Sequence, residues 1–181
     1  MKVTQTPIAG LTIYEPRIFA DDRGFFVETF NQSRYTEISE AFVQDNLSYS
    51  KKGTLRGLHF QKPHTQGKLI FAIQGEIFDV AVDLRRTSPT FGKWFGLLLS
   101  GDNKKQLYVP VGFAHGFLVV SDTALVSYKC TDVYHPETEG SLLWNDSDVG
   151  IVWPDVGMKP ILSAKDAVAP VLKNISPDRL F

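Results

Sequence analysis

The sequence contains almost no cysteine and no long apolar run. Cys130 is the only cysteine in 181 residues, so an intrachain disulfide is excluded. No apolar stretch approaches the ~20 residues that a membrane-spanning helix needs. Residues 1–7 also lack the apolar core of a signal peptide. Together these absences favour a cytoplasmic protein that has no membrane partner.

The sequence also has no marked excess of positive or negative charge. The formal net charge is -1, and acidic and basic residues are dispersed without a polybasic patch. This distribution argues against nucleic acid or an anionic membrane surface as a partner. The length fits one domain covering residues 1–181, and no internal repeat, low-complexity tract or linker suggests a boundary.

Several catalytic motifs are absent. There is no glycine-rich nucleotide loop and no Gly-x-Ser-x-Gly, and Cys130 is interpreted as a mid-strand residue without a neighbouring base. Four histidines are present, but none lies in an HExxH or H-x-H pattern, and Pro63 separates His59 from His64. A metal-free site is therefore favoured. Acid–base chemistry by His, Tyr, Lys and Asp remains, with arginines available for an anion.

Short strand-like segments at roughly ten-residue spacing run through most of the chain. They predict an all-β sandwich, jelly roll or barrel with a few short helices. A hairpin is expected across Gln74-Gly75, and helices are expected over residues 31–40 and from about residue 162. The strand candidates are 12–16, 17–19, 25–30, 55–61, 69–73, 76–84, 91–99, 106–109, 124–129, 141–144 and 151–153.

The segment 54–68 holds the densest set of titratable side chains. Arg56 and His59 have opposite parity along the expected strand, so a regular strand would send them to opposite faces. Gly57 could permit a bulge, or Arg56 could reach in from the strand end; the sequence leaves both open. In the strand 76–84, Asp79 and Asp83 share a face. That face is either exposed to solvent or lines a polar cavity.

Ordered motifs across nearly the whole chain resemble the dTDP-4-dehydrorhamnose 3,5-epimerase family. They involve many polar positions, which makes the resemblance specific. The motifs are Asp22-Arg23-Gly24-Phe25-Phe26, Phe42-Val43-Gln44-Asp45-Asn46, Leu55-Arg56-Gly57-Leu58-His59-Phe60-Gln61, Gln66-Gly67-Lys68-Leu69, Pro110-Val111-Gly112-Phe113-Ala114-His115-Gly116-Phe117, Glu139-Gly140-Ser141 and Leu162-Ser163-Ala164-Lys165-Asp166-Ala167.

This resemblance implies a cupin-type jelly roll, a homodimer with exchanged strands, no cofactor and no metal. The implied reaction inverts C3 and C5 of a dTDP-linked 4-keto-6-deoxyhexose in dTDP-L-rhamnose biosynthesis. His59 resembles the base, Asp166 its carboxylate partner and Tyr128 the acid on the opposite face. Lys68 resembles the cation beside the C4 oxygen, where enolate charge develops.

The resemblance also implies a set of substrate-contacting positions. Arg23 and Arg56 are expected at the diphosphate, Tyr134 against the thymine ring and Phe19 beside the nucleotide. His115 is either one of these contacts or a satisfied core residue. His64 and His135 match no functional position and are interpreted as surface loop residues. The remaining implied contacts are Glu28, Gln44, Asn46, Glu139 and Lys165.

Two alternatives remain open at this point. The same acid–base set would serve an epimerase that inverts only C3 or only C5 of a related dTDP-4-keto-deoxysugar. A non-catalytic cupin, such as a carbohydrate-binding module, is the alternative from another class. Asp79 or Asp83 could also assist the histidine, although Asp166 is the stronger candidate.

Overall fold

The computed structural model describes residues 1–181 and has two antiparallel sheets packed face to face. One sheet has six strands in the order β1-β2-β10-β7-β12-β5, and the other has five in the order β13-β6-β11-β8-β9. The strands are β1 (Lys2–Gln5), β2 (Thr12–Glu15), β3 (Ile18–Asp21), β4 (Gly24–Val27), β5 (Gln44–Lys51), β6 (Leu55–Gln61), β7 (Lys68–Gln74), β8 (Glu76–Asp83), β9 (Trp94–Ser100), β10 (Gln106–Val109), β11 (Phe113–Val119), β12 (Thr123–Cys130) and β13 (Glu139–Ser141).

Helical structure is sparse. The single α-helix, α1 (Ala164–Ala167), begins after Ser163, whose Oγ accepts a hydrogen bond from the Asp166 backbone N–H. Three short 3-10 segments cover Pro136–Thr138, Leu172–Asn174 and Pro177–Arg179. No helix is long and apolar enough to cross a lipid bilayer. The all-β jelly-roll prediction is thus confirmed.

The main core lies between the two sheets. Ile70, Leu107 and Val126 of the six-stranded sheet pack there against residues such as Ile77 and Phe117 of the other sheet. A second cluster, which includes Val80 and Val82, covers the outer face of the five-stranded sheet. Because β8 is covered on both faces, its inward-facing carboxylates cannot reach solvent.

The expected hairpin across Gln74-Gly75 is wrong. Strands β7 and β8 both form, but β7 pairs with β10 and β12, whereas β8 pairs with β9 and β11. Gly75, at a φ of 75°, therefore turns the chain from one sheet into the other. A Cβ there would lie 2.0 Å from the Thr123 carbonyl oxygen, so the crossing requires glycine.

The expected helix over residues 31–40 is also wrong. That segment consists of turns, and the Asn31 side chain accepts a hydrogen bond from the Ser33 backbone N–H. Such local side-chain bonds compete with helical ones. Tyr35 and Ile38 instead bury themselves against Tyr14. The expected strand over 151–153 is likewise absent, and that segment is irregular.

Strands β3 and β4 form a two-stranded hairpin that pairs with neither large sheet. Its aromatic side chains are unusually open to solvent: Phe19 is 47% exposed, Phe25 58% and Phe26 68%. The hairpin therefore presents an apolar surface that this chain alone does not cover.

Candidate active site

A cavity of about 360 Å³ opens between the two sheets, within the usual range for small-molecule sites. One wall comes from β6 and β11 of the five-stranded sheet, and the other from β5, β7 and β12. Tyr134 of a loop, and Ser163, Lys165 and Asp166 at the start of α1, complete the rim. The cavity contains most of the site residues expected from sequence: Gln44, Asn46, Arg56, His59, Lys68, His115, Tyr128, Tyr134, Glu139, Lys165 and Asp166.

A bulge in β6 places Arg56 and His59 in the same cavity. His59 pairs with His115 in the ladder, whereas Arg56 pairs with Phe117, so the register shifts between them. Gly57 adopts a φ of 112° at this point, and a Cβ there would lie 2.7 Å from the Gly116 Cα. Of the two arrangements that the sequence left open, the bulge is the one adopted.

His59 and Asp166 form a close pair. His59 Nε2 lies 2.6 Å from Asp166 Oδ1, and the aspartate side chain is only 3% exposed. Burial alone would raise the pKa of Asp166, but the hydrogen bond and charge of His59, with smaller help from Ser163 and Gly57, lower it below its ordinary value. Asp166 is therefore an anion that orients the imidazole through Nε2. Nδ1 is the His59 ring nitrogen that does not contact Asp166.

A second histidine–aspartate pair lies next to the first. His115 Nε2 is 2.9 Å and 3.0 Å from the two carboxylate oxygens of Asp79, which is fully buried. Asp79 is therefore not exposed to solvent, and it does not line the cavity itself; it contacts His115, which does. Asp83 is also fully buried, but it binds Arg85, Ser88 and Thr90 outside the cavity.

Tyr128 lies on the wall opposite His59. It belongs to β12 of the six-stranded sheet, whereas His59 belongs to β6 of the five-stranded sheet. Burial raises the pKa of the Tyr128 phenol above its ordinary 10.0, and the Arg56 charge opposes this shift. The cavity therefore holds a neutral O–H donor and an imidazole on opposing walls.

Lys68, at the start of β7, is the cation deepest in the site. Burial lowers its pKa from the ordinary 10.5, while Cys130, Glu139 and Asp79 act in the opposite direction. A lysine with this environment can supply positive charge to a developing oxyanion more strongly than in water.

Polar side chains around the rim are tied to one another. Glu139 Oε2 accepts hydrogen bonds from Lys165 Nζ at 2.7 Å and from Tyr134 Oη at 3.3 Å. Gln44 Nε2 donates to Asn46 Oδ1 at 3.0 Å, and Gln44 Oε1 accepts from the Tyr134 backbone N–H at 2.8 Å. These bonds hold the flat aromatic ring of Tyr134 at the cavity mouth.

Three of the expected contacts lie elsewhere in the chain. Phe19 and Arg23 line a separate shallow depression on the β3–β4 hairpin, where Arg23 pairs with Asp21. Glu28 binds Asn31 and Arg34. Within one chain, none of the three reaches the cavity that contains His59.

Several cavity residues were missed from the sequence. Ser48 and Cys130 share strand faces with Asn46 and Tyr128, and period-two alternation from those residues could have found them. Cys130 ends β12 rather than lying mid-strand, and its Sγ accepts from Asn46 Nδ2 at 3.6 Å. Burial raises the pKa of its thiol, so nucleophilic chemistry stays disfavoured. The others were Phe60, Gln61, Gln66, Gly116, Phe117 and Ser163.

Comparison with known proteins gives a consistent result. A family model described as dTDP-4-dehydrorhamnose 3,5-epimerase matches residues 5–174. The chain is 53% identical over 176 residues to the dTDP-4-dehydrorhamnose 3,5-epimerase of Salmonella typhimurium, covering 95% of this chain and 96% of that protein.

Two solved structures bear on the site. The first is dTDP-6-deoxy-D-glucose-3,5-epimerase from Legionella pneumophila in complex with dTDP-4-keto-L-rhamnose. It has a TM-score of 0.96 and 52% identity, covering 99% of this chain and 96% of that one. The second is a 3′-monoepimerase from Streptomyces bikiniensis in complex with dTDP-quinovose. It has a TM-score of 0.87 and 35% identity, covering 93% of this chain and 86% of that one.

Proposed function

The chain belongs to the dTDP-4-dehydrorhamnose 3,5-epimerase family, and we propose that it is an isomerase that inverts C3 and C5 of dTDP-4-dehydro-6-deoxy-D-glucose. The product would be dTDP-4-dehydro-L-rhamnose. The observation that carries the proposal is the opposition of His59 and Tyr128 across one cavity, with Lys68 beside them. Inversion needs a base on one face of a carbon and an acid on the other, and these two side chains supply both.

In the proposed first step, His59 removes the proton from the carbon next to the ketone. The C–H electrons move into the bond with C4, and the C4 oxygen becomes an enolate. Asp166 stabilises the imidazolium formed at His59, as a buried carboxylate does for a catalytic histidine. Lys68 supplies the positive charge that stabilises the negative charge developing on the C4 oxygen.

In the second step, Tyr128 gives its proton to the opposite face of the same carbon. An enolate is strongly basic, so a phenol whose pKa lies above 10.0 can still protonate it. The carbon is then inverted, His59 carries one extra proton, and Tyr128 is a phenolate. Proton exchange with water restores both groups before the second centre reacts.

The nucleotide would bind at the rim of the cavity. Tyr134 is 50% exposed and offers a flat face on which thymine can stack. The Arg56 guanidinium, held by Ser50 Oγ at 3.0 Å, suits the diphosphate. Gln44, Asn46, His115, Glu139 and Lys165 provide the other polar contacts.

We further propose a homodimer in which the β3–β4 hairpin crosses to the partner chain. The support is the exposed aromatic surface of the hairpin and the absence of Phe19 and Arg23 from the lining of their own chain's cavity. In such a dimer the partner's hairpin would close the nucleotide end of the site. Arg23, whose side chain is 90% exposed, would then gain a diphosphate partner.

The reaction itself is tested by supplying dTDP-4-dehydro-6-deoxyglucose together with a ketoreductase that accepts only the doubly inverted ketone. Steady consumption of the reduced nicotinamide is expected. A single-centre epimerase remains the alternative, because the Streptomyces bikiniensis relative shares the fold. Turnover with a ketoreductase specific for the C3-inverted ketone, and none with the first, would favour that alternative.

A further inference from the structure

We propose that His64, Asp132 and His135 bind a divalent transition-metal ion of the zinc class at a site outside the catalytic cavity. The three side chains come from two loops, and one ligand atom from each lies within 4.8 Å of the others. Two imidazoles and one carboxylate form a ligand set that Zn²⁺ and its neighbours prefer. None of the three lines the cavity that contains His59.

The spacing is close to what an ion requires. Metal–ligand distances of about 2.0–2.1 Å in a tetrahedron put ligand atoms about 3.4 Å apart. His64 Nδ1 and Asp132 Oδ2 already lie 3.5 Å apart. The rings of His64 and His135 stack with centroids 3.9 Å apart, so modest side-chain rotation brings the third ligand in.

One buried side chain fixes both loops. Gln61 is only 3% exposed; its Nε2 donates to the His64 carbonyl at 2.7 Å, and its Oε1 accepts from the His135 backbone N–H at 2.9 Å. Gln66 Nε2 adds a bond to the Asp132 carbonyl at 2.9 Å. The backbone of every ligand is therefore held before an ion arrives, which lowers the entropy cost of binding.

A second carboxylate completes the arrangement expected around a metal-binding histidine. His135 Nδ1 lies 3.1 Å from Glu137 Oε1, so Nε2 is the nitrogen left to bind the ion. Carboxylates in this outer position orient the ring and strengthen the ligand. The ligand side chains are also accessible, since His64 is 48% exposed and Asp132 35% exposed.

The test is isothermal titration of tag-free, chelator-treated protein with Zn²⁺, repeated with Co²⁺ to read tetrahedral absorption bands. One ion per chain is expected. The double variant His64→Gln with His135→Gln should lose stoichiometric binding, and Glu137→Gln should weaken it about 10- to 100-fold. Asp122→Asn, an exposed aspartate elsewhere, is the matched control and should bind like the unaltered protein.

Thermal melting gives a second readout. Saturating Zn²⁺ should raise the Tm of the unaltered protein and of Asp122→Asn, but not that of the double variant, because only a folded-state site links binding to stability. Equal Zn²⁺ affinity in the double variant and the unaltered protein would overturn the proposal. Absence of any binding by the unaltered protein would overturn it as well.

Discussion

His59 Nε2 and Asp166 Oδ1 lie 2.6 Å apart although 107 residues separate them in the chain. The histidine is fixed by the bulged strand β6, and the aspartate by the first turn of α1. Ser163 begins that turn by accepting a hydrogen bond from the Asp166 backbone N–H. The pair is therefore built from two rigid elements, which keeps the imidazole in one orientation.

Asp166→Asn should lower kcat by about 10²-fold or more, because the amide cannot stabilise the imidazolium and can select the wrong tautomer. KM should change little, since the nucleotide contacts remain. Steady-state kinetics with the coupled assay checks this, and Asp122→Asn serves as the control. A kcat equal to that of the unaltered enzyme would remove Asp166 from the mechanism.

The alkaline limb of the pH profile of kcat/KM should report the deprotonation of Lys68. Burial lowers the pKa of Lys68 from 10.5, and burial raises the pKa of Tyr128 from 10.0. The protonated lysine is the active form, so activity should fall as pH rises through its lowered pKa. Lys68→Arg, which keeps its charge above pH 12, should move the limb to higher pH. An unmoved limb in that variant would contradict the assignment.

Gly57→Ala should destabilise the protein by at least about 3 kcal/mol, because it adds a steric clash to a left-handed backbone. The new Cβ would lie 2.7 Å from both Gly116 Cα and His115 O. Gly157→Ala is the matched control: its φ is 75°, but a Cβ there meets nothing within 4 Å. It should cost only about 1–2 kcal/mol. Urea denaturation measures the loss of unfolding free energy in both variants, and equal losses would refute the role of the bulge.

Mixed dimers test the exchanged hairpin. Arg23→Ala and His59→Ala should each be weakly active alone. If the hairpin crosses, a heterodimer of the two variants contains one site with both residues intact and one with neither. Co-expression with two different tags and tandem purification should therefore restore about half of the activity per dimer. A heterodimer as inactive as its parents would show that Arg23 acts on the cavity of its own chain.

The sequence identified most side chains of the site because their polar motifs are local and distinctive. It could not decide how Arg56 and His59 reach one cavity, since a bulge depends on the partner strand and on Gly116 opposite Gly57. Nor could it separate a hairpin from a crossing at Gly75. Both use the same turn residues, and only the pairing of β7 with β10 and β12 distinguishes them.

The local sequence pattern also did not reveal that Asp79 and Asp83 are buried. Alternation in β8 correctly put Asp79 and Asp83 on one face, but an aspartate on a strand is usually exposed. Here β8 is covered on both sides, and each carboxylate contacts a specific partner, His115 or Arg85. Those partners come from a neighbouring strand or the following turn, so the tertiary fold determines whether these aspartates are buried.

In the proposed mechanism, His59 and Tyr128 move protons at both C3 and C5 from opposite walls of the cavity. Incubation of dTDP-4-dehydro-6-deoxyglucose with the protein in deuterium oxide, read by NMR, tests this mechanism. Deuterium is expected at both carbons with the unaltered protein, and incorporation about 10²- to 10⁴-fold slower with His59→Ala. Label at C3 alone, or label at both carbons at an unchanged rate in His59→Ala, would contradict the mechanism.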